Sequence, residues 1–396
     1  MRSLLEGVRV LDFTGSVSGP ACSMFLADAG AEVIKIEKPV RGDDSRLFPP
    51  FKEGWSGSYV TLQRGKKGIV LNMKEGEGVE IFRELVRISD VVVENMTPGT
   101  LTKLGLDYES LKAVREDIIL CSISGYGQTG PLSPLPGYDS VIQAMSGLMS
   151  ITGFPDGPPT RVGSLISDIS SAVFGALGIC MALFYREKTG KGNLVDVSMF
   201  DVSLTLLDAN MLTYTIENQE PTRNGNRLKY ITPFDTFRCA DGDVLIICGN
   251  ENNFGALAEV IGRPELKEDP RFVDNPSRTG NEPELKPIIE EWTSRRTREE
   301  VLGVLLPAGV PVAPVNRVSE ALGMEQTRAR GMLKDVEQPG AGTMTICGPT
   351  LKFPETPLRI QGPAPMLGQH TREVLSGLLG YSDERLDQLE EKGIIS

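Results

Sequence analysis

Residues Val8 to Pro39 read "VRVLDFTGSVSGPACSMFLADAGAEVIKIEKP". The apolar run Val8 to Thr14 predicts a buried strand. "GPACSMFLADAG" predicts a helix, and "EVIKIEKP" predicts a second strand. Two apolar strands joined by a helical connection make a parallel βαβ unit, because antiparallel neighbours would need only a short turn. The pattern continues with "IVLNM", a helix over about Gly76 to Ile88, and "DVVVEN" (Asp90 to Asn95). Two short helices, "TPGTLTKLG" and "YESLKAVR", then precede the strand "DIILCSIS". Such alternation predicts an α/β fold with a largely parallel, Rossmann-like sheet covered on both faces.

The first loop bears on what this sheet binds. Glu37 ends the second strand where a ribose-binding acid falls in dinucleotide-binding proteins. The loop itself is Gly15-Ser16-Val17-Ser18-Gly19-Pro20, which lacks the G-x-G-x-x-G fingerprint. A nicotinamide-dependent oxidoreductase is therefore disfavoured, and a crevice for another nucleotide-bearing ligand stays open.

Farther along, "RVGSLISDISSAVFGALGICMALFYREKTGKG" (Arg161 to Gly192) has no charged side chain between Ile169 and Tyr185, yet Asp168 stands directly before that run. The run is short of a comfortable membrane span and contains Ser170, Ser171, Gly175 and Gly178, so a core helix explains it better. Aspartate is a preferred N-cap, which is one reading of Asp168. A carboxylate at a helix start is also able to serve as a nucleophile where nearby N–H groups stabilise an oxyanion.

Past Gln219 the character changes. "QEPTRNGNRLKYITP" reads as a linker, and "FDTFRCADGDVLIICGN" as a hairpin turning at Asp241-Gly242. Helices follow over about Asn252 to Ile261 and Pro283 to Ser294, then one from Thr297 with a capping box in "TREE". "GVPVAPV" reads as an edge strand. The expected organisation is a large domain over 1–200 completed by 326–396, a linker helix and loop over 201–224, and a small α+β domain over 225–325.

The chain has 396 residues, 41 basic against 53 acidic side chains and a formal charge of -12, which disfavours a nucleic-acid partner. Basic residues do recur in loops beside strands: Lys38, Arg41, Lys66, Lys67, Lys74 and Lys103. Together they form a candidate phosphate-binding set. The six cysteines are scattered without a C-x-x-C pair, as in a reduced, cytoplasmic chain. The N-terminus "MRSLLEGVRVLDFTGS" has too short an apolar stretch for a secretion signal. The single histidine, His370, makes histidine-based triads and metal sites improbable, and "LGQHTREVL" reads as ordering the last helix. "SGYGQTGPLSPLPGYD" (Ser124 to Asp139) is a glycine- and proline-rich loop where α/β proteins often place function.

Taken together these segments resemble the class III CoA-transferases, the family of formyl-CoA transferase and carnitine CoA-transferase. The likeness runs through "LEGVRVLDFT", "GAEVIKIEKP", "VLNMK", "VVENMTPG", "LGLDYESLK", "SGYGQTGP", "PGYD" and "EKTGKG", with "VDVSMFD" after them. It implies that Asp168 is the nucleophile, forming an acyl-aspartyl anhydride and then an aspartyl-CoA thioester. CoA thioesters would be substrates, with no permanently bound cofactor and no metal. It further implies CoA contacts at Val17, Ser18, Lys38, Leu71, Asn72, Met73, Lys74, Asn95, Met96 and Lys103, with Tyr138 at the thioester end. The family fold is an interlocked homodimer, and some members pair with a homologous subunit. The related racemases carry a histidine where this chain has Tyr138, which disfavours racemisation.

Two departures bear on the substrate. Formyl-CoA transferase has a glutamine at the place of Val17, and its glycine-rich loop before the small-domain hairpin is missing here. Both are read as arguing against oxalate and formyl-CoA. The expected reaction moves CoA from an acyl-CoA such as succinyl-CoA to an aromatic, branched or dicarboxylic acid such as benzylsuccinate. A silent CoA-binding subunit of a heteromer is the alternative.

Overall fold

The computed structural model of the protein describes residues 3–396; Met1 and Arg2, part of the stretch read for a secretion signal, lie outside them. The described residues divide into two compact units, one of 3–148, 162–208 and 325–396, the other of 149–161 and 209–324. The boundaries depart from those expected at three places, the first being that residues 209–224, expected as linker, belong to the second unit. Residues 149–161 join the second unit, and 201–208 stay with the first because Met199–Thr205 is a helix packed on its neighbours there.

In the first unit, β1 (Arg9–Phe13), β2 (Glu32–Glu37), β3 (Lys67–Val70), β4 (Val91–Glu94), β5 (Ile119–Ser124) and β6 (Asn193–Ser198) form one sheet in the order β3-β2-β1-β4-β5-β6. Every neighbouring pair is parallel, with Val10 opposite both Val33 and Val91. Strand alternation sorts the side chains onto two cores. Leu11, Ile34, Ile36, Val92 and Leu120 face one side, where Phe82 and Leu85 of α2 (Gly76–Arg87) and the C-terminal Val374 and Leu375 cover them. Val10, Val33, Val91, Ile119 and Cys121 face the other, beneath α1 (Ser18–Asp28) and α4 (Ile166–Thr189). Between them in sequence lies α3 (Asp139–Met145).

The C-terminal part adds no strand to this sheet. Its Leu333–Gln338 and Gly342–Cys347 pair as a separate hairpin, which packs Val336 and Ile346 on Tyr59 and Val60. His370 fastens the tail to β3: its N–H donates to the Gly68 carbonyl at 2.9 Å, and its Nδ1 accepts from the Gly68 N–H at 3.0 Å.

The long apolar helix α4 is not buried all round, as a core helix would be. Its small face, with Ser167, Ser171, Ala172, Gly175, Ile179 and Ala182, packs on α1, β5 and β6. A Cβ at Gly178 would fall 2.5 Å from the Val195 Cγ1, so only glycine permits this approach. The large side chains Val173, Phe174, Leu177, Met181, Phe184 and Tyr185 point outward, 42–67% exposed. By length and apolarity alone the helix would also suit a bilayer.

In the second unit, β7 (Phe234–Cys239), β8 (Gly242–Ile247) and β9 (Val312–Pro314) form an antiparallel sheet with β8 central and β9 at an edge. The hairpin turn is Ala240-Asp241, one residue earlier than expected, since Gly242 already pairs with Cys239. Helices Glu251–Val260, Glu282–Thr293 and Arg298–Leu305 enclose a core around Phe237, Val244, Ile246, Leu257, Phe272 and Ile289. The Thr297–Glu300 capping box is present. Arg278 is fully buried, stacked 4.3 Å over Phe254 and held by Glu251 and the Thr232 carbonyl.

Candidate active site

In an open parallel sheet, loops diverge where the strand order reverses and leave a crevice beyond the strand ends. Here that place lies between β1 and β4. A cavity of about 670 Å³ opens there, lined by the loops after β1 (Gly15, Ser16, Ser18), β2 (Lys38) and β4 (Asn95, Met96), with Tyr138 and Asp168.

Asp168 does not cap its helix. Leu165 occupies the cap position without a side-chain bond, and Asp168 is the third helical residue. The cap comes from α3. The Asp139 Oδ1 accepts from the Ser167 N–H at 2.8 Å and from the Asp168 N–H at 3.4 Å. Asp139 is itself buried and fixed, its Oδ2 accepting from the Gln143 Nε2 at 2.6 Å while the Gln143 Oε1 accepts from the Val162 N–H. Asp168 is thereby released from capping, and its carboxylate faces the cavity. Burial first, and then the Asp139 charge, push its pKa up from 3.8 to about 6; the nearby Ser18 hydroxyl opposes them. The group is ionised at neutral pH yet more basic than an ordinary carboxylate, which suits a nucleophile.

The loops around it are held tightly. Asn95 clamps Gly15 from both sides, its Oδ1 accepting from the N–H and its Nδ2 donating to the carbonyl, both at 2.8 Å. The "SGYG" and "PGYD" segments touch backbone to backbone: a Cβ at Gly125 would fall 2.6 Å from the Gly137 Cα. This contact seats Tyr138, whose ring is exposed at the cavity mouth, and the start of α3.

Of the residues expected at the site, the cavity brings together Ser18, Lys38, Asn95, Met96, Tyr138 and Asp168. Leu71, Asn72, Met73, Lys74 and Lys103 lie outside its lining but follow the C-terminal ends of β3 and β4, at the same sheet edge. Leu71 is buried in the core, and Asn72 bonds the C-terminal Gly393 and Ile394 carbonyls. Val17 is half-buried against the core cluster beneath α1 and outside the cavity lining, to which its neighbours Ser16 and Ser18 belong. Two readings are corrected. Lys66 is fully buried, its Nζ donating to Asp12, the Pro20 carbonyl, Ser23 and Gln63, so it cannot reach a phosphate. Glu37 is consumed by Arg46, the Asp43 N–H and the Tyr59 hydroxyl rather than awaiting a ribose.

Comparisons with known proteins agree with this geometry. The profile of the family described as CoA-transferase family III matches residues 5–371. An acetyl-CoA:oxalate CoA-transferase of Acetobacter aceti is 46% identical over 329 residues, 83% of this chain and 85% of the relative. A succinyl-CoA:glutarate CoA-transferase of Mus musculus is 36% identical over 99% of this chain and 90% of its own. The crystal structure of a CAIB/BAIF family protein from Brucella suis superposes with a TM-score of 0.86 at 36% identity, covering 96% of this chain and all of that one.

Proposed function

Because the chain belongs to CoA-transferase family III, we propose that it moves CoA from succinyl-CoA to a small dicarboxylic acid, with Asp168 as the nucleophile. The observation that carries this reading is the Asp168 carboxylate itself, freed from its helix by Asp139, raised to about 6 and facing the switch-point cavity. The Asp168 carboxylate attacks the thioester carbonyl, and CoA leaves as thiolate with an acyl-aspartyl anhydride behind it. The thiolate then attacks the aspartyl carbonyl, expelling the donor carboxylate and leaving an aspartyl-CoA thioester. The acceptor carboxylate attacks that thioester, re-forming a mixed anhydride and the thiolate. Thiolate attack on the acceptor's acyl carbon releases the new thioester and restores Asp168. Each step exchanges one activated acyl group for another, so orientation and oxyanion donors carry the catalysis.

Ser18, Lys38, Asn95 and Met96 would contact CoA from the cavity wall, with Leu71 to Lys74 and Lys103 along the same edge. The acceptor class rests on the relatives named for oxalate and glutarate, both dicarboxylates. The argument against oxalate from Val17 is weakened, since that half-buried side chain is outside the cavity lining. Benzylsuccinate, a dicarboxylate with an aromatic arm, belongs in the same panel. The exposed apolar face of α4 supports a homodimer that covers it. The free thiols of Cys22, Cys121, Cys180, Cys239, Cys248 and Cys347 support a reducing, cytoplasmic setting.

The test is peptide mass spectrometry after incubation with succinyl-CoA and acetyl-CoA, followed by hydroxylamine trapping, on wild type and Asp168→Asn. A hydroxamate confined to the Asp168 peptide and absent from the variant is the expected result. Turnover without any adduct, or an active Asp168→Asn, would overturn the nucleophile assignment.

A further inference from the structure

Beneath the β1–α1 loop lies a buried charge cluster that the chemistry above does not use. Asp12 of β1 and Lys35 of β2 are direct neighbours in the sheet, and both side chains are completely buried. The Lys35 Nζ lies 3.3 Å from the Asp12 Oδ1 and 2.9 Å from the Asp43 Oδ2, and it donates to the Thr14 carbonyl. Asp43 reaches the same loop from the other side, its Oδ1 accepting from the Ser16 N–H at 3.2 Å. Lys66 balances the cluster through the Asp12 Oδ2 at 2.8 Å. Two lysines thus face two aspartates with no net charge.

A buried ionic cluster of this kind is a poor source of stability, since apolar packing of equal volume does as well or better. What apolar side chains cannot do is grip a peptide carbonyl and a peptide N–H two residues apart. The loop requires such a grip. Ser16 adopts φ +67°, a left-handed conformation that strains a non-glycine residue, and such strain persists only where the surroundings over-determine it. Lys35 holds the Thr14 carbonyl, Asn95 holds both sides of Gly15, and Asp43 holds the Ser16 N–H. Two residues farther on, Ser18 lines the same cavity as Asp168, and its hydroxyl opposes the rise in that carboxylate's pKa.

We propose that Lys35 and Asp43 are positioning residues for the reaction, fixing the Thr14–Ser16 backbone so that Ser18 keeps its hydroxyl near the Asp168 carboxylate. The proposal rests on Asp168 being the nucleophile. Without the clamp the loop relaxes out of its left-handed turn, Ser18 withdraws, and the carboxylate loses a hydroxyl that favours its charged form. Charged groups elsewhere around the cavity are Asp139 from α3, and Glu37, Lys38, Asp43 and Asp44 from β2 and the loop after it.

The experiment compares Lys35→Met, Asp43→Asn, Ser18→Ala, Lys35→Met/Ser18→Ala and Asp168→Asn by kcat, KM for succinyl-CoA and the pH dependence of kcat/KM. Lys35→Met and Ser18→Ala should each move the acid limb upward by about 0.5–1 unit and lower kcat about 10- to 100-fold with little change in KM. The double variant should shift no further than Ser18→Ala alone. Asp43→Asn separates geometry from charge. Removing its negative charge alone would lower the limb, whereas loss of the clamp raises it, and it also serves if Lys35→Met does not fold. Arg64→Met, which breaks the equally buried Arg64–Asp28 pair away from the loop, should lower the melting temperature and leave the limb in place.

A wild-type limb and kcat in folded Lys35→Met, a shift that adds to that of Ser18→Ala, or a downward shift in Asp43→Asn would overturn the clamp while an inactive Asp168→Asn leaves the nucleophile standing. An active Asp168→Asn would instead bring down the nucleophile assignment, and the clamp with it.

Discussion

Asp139 and Asp168 sit in two different helices, yet the carboxylate of the first accepts the backbone N–H of the second at 3.4 Å and that of Ser167 at 2.8 Å. One acid thus performs the capping that leaves the other free to line the cavity. The same closeness puts two negative charges side by side and contributes to the raised pKa of Asp168.

Activity should therefore fall as pH drops through about 6, where Asp168 takes up its proton. Asp139→Asn removes the neighbouring charge while its Oδ1 still accepts from the Ser167 N–H. The acid limb of kcat/KM is expected to move down by about 0.5–1 unit. Its new amide cannot accept from the Gln143 Nε2, so a lower melting temperature should accompany the shift. An unmoved limb would assign the titration to another group.

Asp168 should also cost the fold stability. Its pKa is raised from 3.8 to about 6, so the native state binds a proton more readily than the unfolded chain. Stability then falls as pH rises through that window, and above it the native fold bears the whole cost. Asp168→Asn is expected to be more stable than wild type at pH 7.5 by about 1–3 kcal/mol. The gain should vanish below the unfolded-state value, as urea titrations across pH would record.

Gly178→Ala tests the close seating of α4. The new methyl would meet the Val195 Cγ1 at 2.5 Å, a stiff β-branched neighbour. Destabilisation by about 1–3 kcal/mol is expected in chemical denaturation. An unchanged midpoint would mean that the helix moves outward without penalty.

The exposed face of the same helix makes a separate prediction. Met181→Glu/Phe184→Glu places charge on two side chains exposed by 61% and 67%. Sedimentation velocity at micromolar concentration should show a dimer for wild type and a monomer for the variant, with unchanged far-ultraviolet circular dichroism. Equal masses would exclude this face as the interface.

Much of the sheet was legible because its strands are short apolar runs separated by helix-length connections. What escaped depends on contacts distant in sequence. Asp168 reads as a cap because it stands before an apolar run, and nothing local reveals that a carboxylate 29 residues earlier takes that role. Lys66 reads as a phosphate ligand from its loop position, although its partners Asp12, Pro20 and Ser23 bury it. Val17 was expected to touch CoA, but after the left-handed turn at Ser16 it rests half-buried against the core, outside the cavity lining. One signal was available and was passed over. In "EVIKIE", Lys35 shares a strand face with the buried Val33, and a lysine at such a position needs an acid opposite it.

The contact between Gly125 and Gly137 has its own consequence for how this enzyme adapts. Two loops welded backbone to backbone behave as a single jaw, and any side chain at either weld point would pry it open. Inserting or deleting residues between them would shift Tyr138 and the Asp139 cap together, disturbing Asp168 as well as the entrance. New acceptors are thus to be sought by exchanging side chains on the jaw, Tyr138 first, while the length of its loops stays constant.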